Sequence, residues 1–170
     1  MKQALSPLVS FLVLSIVIIA AASLVISRTV PSVSEFEESQ DYLDMLTIMQ
    51  TIDSYINYVV HEYENASIII DIRVPGTLKI YNNLVVGEIT KTNIHGETKK
   101  GNILIVGNGV TKFYLNYTKI SIITPKDPIS DEPCMQAFSR GLHRIQIVNK
   151  GFIGDKATIC IRATNSPCKC

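Results

Sequence analysis

The feature that most constrains this chain is an uncharged run near its N-terminus. From residue 3 to residue 27 there is no charged side chain, and residues 8–26 are Leu, Val, Ile, Phe and Ala apart from Ser10, Ser15 and Ser23. A helix needs roughly 20 apolar residues to cross a hydrocarbon core about 30 Å thick, so the run predicts a membrane-length helix. Ser6 followed by Pro7 reads as an N-cap with proline at the first helical position, where a missing N–H costs nothing. Lys2 and Arg28 flank the run; with the amino terminus short and acids following Arg28, the orientation is N-terminus inside, remainder exported. A removable secretory signal is the competing reading, with an A-x-A site at Ala20-Ala21-Ala22. The apolar run continues through Leu24, Val25 and Ile26, which favours retention.

The other 140 or so residues allow one modest domain. Of the 170 residues, 46% are hydrophobic and only 18% charged, which excludes an intrinsically disordered chain. A single long apolar run excludes a multi-span protein.

Beyond Arg28 the sequence Arg-Thr-Val-Pro predicts a break at Pro31, and Ser34 with Glu37 makes a capping box that restarts a helix. Apolar residues then fall on a heptad: Tyr42, Met45, Met49, Ile52, Ile56, Val59 and Tyr63. Leu43, Leu46 and Val60 widen the stripe, as in a helix lying on its own domain's core more than in a coiled-coil seam. After Asn65 the period becomes strand-like. Hairpins are predicted over 77–89 around Asn82-Asn83, over 102–124 around Gly107-Asn108-Gly109, and over 141–163 around Lys150-Gly151, with 91–101 a polar loop. The predicted fold class is α+β: a long N-terminal hydrophobic then amphipathic helix (7–30 and 34–64), followed by an antiparallel β-sandwich or barrel-like domain. The corresponding divisions are 1–4, 5–30, 31–64 and 65–170.

Export would put the four cysteines, Cys134, Cys160, Cys168 and Cys170, where disulfides persist. A bridge between Cys168 and Cys170 is strained, so one is expected to pair with Cys134 and the other with Cys160. A four-thiolate zinc site is the alternative, and its one close pair is too closely spaced. Charge is partitioned: residues 31–64 carry eight acids and no Lys or Arg, whereas residues 65–170 carry fourteen bases against seven acids. That invites contact between helix and domain, within or between subunits. The bases are scattered, without an aromatic platform, which argues against nucleic acid.

Catalytic chemistry finds no foothold. His61, His95 and His143 are far apart, and no Gly-x-Ser-x-Gly, His-Glu-x-x-His or phosphate-binding loop occurs. His95-Gly96-Glu97 with Pro133-Cys134 lacks the second cysteine of a zinc deaminase, Ala137 standing in its place. Asp127, Asp131 and Glu132 share a loop that reads as solvated rather than calcium-binding. No catalytic, cofactor or metal residue is assigned, and the chain is expected not to be an enzyme. Two glycosylation motifs occur, at Asn65 and at Asn116.

The opening Met-Lys-Gln-Ala-Leu-Ser-Pro-Leu-Val, followed by an apolar helix, an amphipathic extension and a β-domain, resembles archaeal type IV pilins and pilin-like proteins with their class III signal segment. The resemblance implies leader and processing residues Lys2, Ala4, Leu5, Ser6 and Pro7, with Gln3 departing from the pattern by separating the base from the small residue. It implies trimming by a prepilin peptidase after about Ala4, residence in the membrane before assembly, and a filament core built by helices carrying Leu8, Phe11, Leu12, Ile16, Ile19 and Leu24. The partners implied are copies of the same chain or other pilins, at the cell surface. The alternative is a monomeric, membrane-anchored accessory protein that contacts the cell envelope.

Overall fold

The computed structural model describes residues 11–24, 40–90 and 94–170 with their side chains, and the backbone of 7–10, 25–39 and 91–93. Helical backbone is assigned over Pro7–Val60 (α1). Eight strands follow: β1 Ser67–Val74, β2 Thr77–Tyr81, β3 Leu84–Lys100, β4 Ile103–Asn116, β5 Ile120–Ile123, β6 Gln136–Phe138, β7 Gly141–Ile153 and β8 Lys156–Ala163. The chain divides into two compact units, Met1–Ser39 and Gln40–Cys170.

The expected long helix followed by an antiparallel β-domain is corrected on two points. The helical residues described with their side chains form two short stretches, 11–24 and 40–60, and the second lies inside the β unit rather than ahead of it. Its apolar face demands that placement. Met45, Met49, Ile52 and Ile56 are fully buried and Val59 nearly so, in one core with residues of both sheets. Each such side chain contributes about 1.5–3 kcal/mol on burial. The second point is that the β unit is not wholly antiparallel. One sheet has the order β1-β7-β8-β5 and the other β4-β3-β2-β6, and β5 runs parallel to β8. The chain leaves β5 through the 124–135 loop and forms β6 and β7 before β8 returns alongside it.

Tight packing fixes the helix against β3: a Cβ on Gly87 would lie 2.7 Å from Met45 Sδ. Tyr42 packs against Phe113 of β4, their ring centroids 5.4 Å apart and their planes tilted by 45°. The helix ends at Val60, short of the expected residue 64, and Tyr63 is left exposed. His61 and Glu62 donate their amides three residues back to Tyr58 and Val59, the tightening common in a last helical turn. Asn149, buried on β7, caps that end by donating to the carbonyls of Val59 (3.1 Å) and Glu62 (2.8 Å).

The expected hairpin at Asn82-Asn83 forms, with Tyr81 opposite Leu84 and Asn83 at φ 64°. Two expected turns move. The 91–101 segment, predicted as a polar loop, continues β3 to Lys100, and the chain reverses at Gly101-Asn102 rather than at Gly107-Asn108-Gly109. The β7–β8 reversal lies at Gly154-Asp155, while Lys150-Gly151 falls in a register shift. Polar and charged side chains on both faces of 95–100 hid a strand that is exposed throughout.

The cysteines pair Cys134–Cys168 and Cys160–Cys170. Ile159 and Ile161 face the core, so Cys160 between them faces the opposite side of β8. There the C-terminal tail is held by the bridges and by Lys126 and Lys169, which exchange backbone hydrogen bonds at 2.8 and 2.9 Å. Disulfides of this kind persist in oxidising compartments.

Among the described residues no helix is long and apolar enough to cross a membrane; the expected span over 5–30 extends beyond the stretch 11–24 described with its side chains. The leader residues Lys2, Ala4, Leu5 and Ser6 and the side chains of Pro7 and Leu8 lie outside the described residues, whereas helical backbone runs through Pro31 and Ser34, where a break and a restart were expected.

Truncation of Ile52, fully buried, to Ala is expected to cost about 2–5 kcal/mol in denaturant unfolding of the full chain. The same change at half-exposed Leu43 is expected to stay within about 0.5 kcal/mol. Equal losses would place the core elsewhere.

Candidate assembly surface

The surface that stands out is the helical stretch 11–24. Phe11, Leu12, Val13, Leu14, Ile16, Val17, Ile18, Ile19 and Leu24 are each more than half exposed, on every side of the helix. The run holds no charge, and its two hydroxyls are turned inward. Ser15 Oγ donates to the Phe11 carbonyl and Ser23 Oγ to the Ile19 carbonyl, both at 2.9 Å. The helix therefore offers no unsatisfied side-chain donor from these serines to its surroundings, as a lipid phase or a bundle of like helices requires. Exposed Ala20, Ala21 and Ala22 leave room for close helix approach. Apolar surface on this scale marks an interaction site.

In the β unit, polar groups chiefly serve the fold. Asp53, on the helix, gathers three donors on Oδ1: Tyr117 Oη at 2.5 Å, Asn102 Nδ2 at 3.1 Å and Asn57 Nδ2 at 3.1 Å. Asn102 stands at the tip of the β3–β4 hairpin and Tyr117 just past its far end, so one carboxylate fastens both ends of the hairpin to the helix. Sequence reading missed this clasp. Its partners lie 49 and 64 residues from Asp53, and no local pattern encodes such a pairing. Burial, reinforced by the Asp53 carboxylate, pushes the Tyr117 phenol well above its ordinary value.

The acidic helix and basic sheets meet less than their charges suggested. Arg140, in the turn between β6 and β7, with Asp41, at 3.0 Å, is the one ion pair from the helix to the rest of the β unit among the described residues. The others join strand to strand or close a loop: Lys79 and Lys112 with Glu88, Arg144 with Asp71, and Lys126 with Asp131. Arg144 holds Asp71, and Lys79 holds Glu88, below the usual carboxylate range. Solvent screens such exposed pairs, and they add little to stability.

The remaining candidates are quiet. His61 contacts the Asn57 carbonyl, and His143 the Ser139 carbonyl; His95 is exposed on β3. Among the described residues no three His, Cys, Asp or Glu side chains could hold a metal ion. In the 127–132 loop Asp127 accepts the amides of Ile129 and Ser130, which lowers its pKa. A groove of about 310 Å³ lies over Phe138, Leu142 and His143, its flanking Asp71 and Arg144 committed to each other. Asn65 and Asn116 are both exposed.

The tyrosine's raised pKa has a definite sign in stability. Unfolding lets Tyr117 ionise near its ordinary value of about 10, so its contribution is intact below that pH and falls as pH rises further. For Asp71 and Glu88 the sign reverses: their contribution is present above about pH 4.5 and is lost as pH falls through their lowered values. Tyr117→Phe is expected to cost about 0.5–1.5 kcal/mol at pH 7 and to soften the loss of thermal stability between about pH 10 and 11 relative to the parent. Parallel pH curves for the two proteins would refute the clasp. No protein-family model, curated protein or solved structure matches the chain, so the functional reading rests on this surface and on the order of the chain's segments.

Proposed function

We propose that the chain is a structural, non-enzymatic subunit of a type IV pilus-like surface filament, assembling through its N-terminal apolar helix. The observation that carries the reading is the stretch 11–24, apolar on every side and with both serine hydroxyls bonded to its own backbone. The same chain bears a disulfide-bonded β unit with its own core, suited to the outside of a cell.

On this reading a prepilin-type peptidase trims the leader after about Ala4, and the helix waits in the membrane. It then moves into a bundle of copies of itself or of related pilins. Lipid tails and neighbouring apolar helices are equally apolar surroundings, so the transfer depends on packing and on satisfied backbone groups rather than on fresh hydrophobic burial. The β unit, with most described ion pairs internal to its strands and loops, faces outward.

Sheared surface material examined by electron microscopy, with mass analysis of the mature N-terminus, tests the proposal. Filaments containing the chain, starting at Leu5 or its neighbour, are expected. Ile16→Arg places a charge at a cost of about 2.5–3.5 kcal/mol in an apolar medium, and is expected to abolish incorporation while leaving both disulfides intact. A chain that keeps Met1 and stays in the membrane fraction, absent from filaments, would instead favour the anchored accessory role.

A further inference from the structure

We propose that Asn116 is an N-glycan acceptor and that Asn65, which carries the same three-residue motif, is not. This inference needs export of the β unit but does not depend on filament assembly.

The two motifs look alike in sequence and differ in the fold. Asn116 is the last residue of β4, opposite Leu84 on β3, and residues 117–119 have left the ladder. Tyr117 is half-buried and tied to Asp53, whereas Asn116 and Thr118 on either side of it are both exposed. Neither the Asn116 amide nor the Thr118 hydroxyl has a hydrogen-bond partner among the described residues. The inward anchor thus presents the acceptor nitrogen and the hydroxyl that a transferase reads, and neither side-chain group has a hydrogen bond to give up.

Asn65 sits in a locked turn. Its backbone is in the left-handed region at φ 66°. Its amide donates to the Asn149 carbonyl at 2.8 Å, and the next carbonyl, of Ala66, accepts the Asn149 amide at 2.9 Å. Lys150 Nζ reaches its side-chain oxygen at 3.4 Å. The motif's own hydroxyl, on Ser67, accepts from Gln146 Nε2 at 3.1 Å, and Ser67 already pairs with Val148 in the β1–β7 ladder. Asn149 also caps the helix, so opening this segment for a transferase disturbs the helix end and the sheet edge together.

The modification requires a lipid-linked oligosaccharyl phosphate or diphosphate as donor. The bond from the sugar anomeric carbon to the phosphate oxygen breaks and a bond from that carbon to Asn116 Nδ2 forms. The Nδ2 proton passes to a base of the transferase, and the lipid phosphate or diphosphate leaves. No oxidant or reductant is involved.

Peptide mass spectrometry of the full chain, isolated from the cells that make it, decides the matter. A glycan mass on the Asn116 peptide in the majority of molecules, with an unmodified Asn65 peptide, is expected. The adduct is expected to vanish in Asn116→Gln and in Thr118→Val, and to survive in Thr118→Ser and in Asn65→Gln. An unmodified Asn116 peptide, or a glycan on Asn65, would overturn the assignment. The unsubstituted chain alone already distinguishes these results, so folding of the variants is not required.

Discussion

The structure depends on a single stripe of side chains: Met45, Met49, Ile52, Ile56 and Val59, on one face of the 40–60 helical stretch. Two four-stranded sheets contribute residues to the same core, and the helix is the element that fills it. Much else follows from that demand. Gly87 admits Met45 against the β3 backbone, Asn149 takes up carbonyls that the ending helix cannot satisfy itself, and Asp53 receives donors from both ends of the longest hairpin. A polar residue in the stripe would leave these fastenings around a hole.

The N-terminal segment therefore meets two different requirements. Over 40–60 it is apolar on one face, and its cover comes from its own chain. Over 11–24 it is apolar and exposed all round. This difference is one of pattern rather than of hydrophobicity alone: a stripe can be buried by a sheet on one side, whereas a fully apolar cylinder needs an apolar medium or several neighbours. The disulfides add a third requirement, an oxidising compartment, and they secure the C-terminal tail on the face of β8 away from the helix.

Local regularities were legible in the sequence, and long-range ones were not. The heptad from Tyr42 to Val59 announced the helix face that is buried, and the one-residue spacing of Cys168 and Cys170 already marked their mutual bridge as strained. The Asn82-Asn83 reversal was readable because its conformation is set within four residues. By contrast, β3 over residues 95–100 is exposed throughout, so it carries no alternation of burial for a reader to detect. The parallel β5–β8 pair and the Asp53 clasp join residues dozens of positions apart, and their specification lies in the packed fold. The helix end was misjudged because Tyr63 continues the heptad while Asn149, far along the chain, closes the helix before it. Phe11, Leu12, Ile16, Ile19 and Leu24 were picked out by hydropathy and are exposed, while the side chains of the processing residues before Leu8 lie outside the described part of the molecule.

The central claim is that the two helical stretches have different partners, one inside the subunit and one between subunits. Photo-crosslinking tests it directly, with a photoreactive amino acid at Ile16 in one protein and at Met49 in another, irradiated in material sheared from the cell surface. The account predicts a ladder of covalently linked copies from position 16 and only intrachain products from position 49. A ladder from position 49, or the absence of any chain-to-chain product from position 16 in that material, would contradict it.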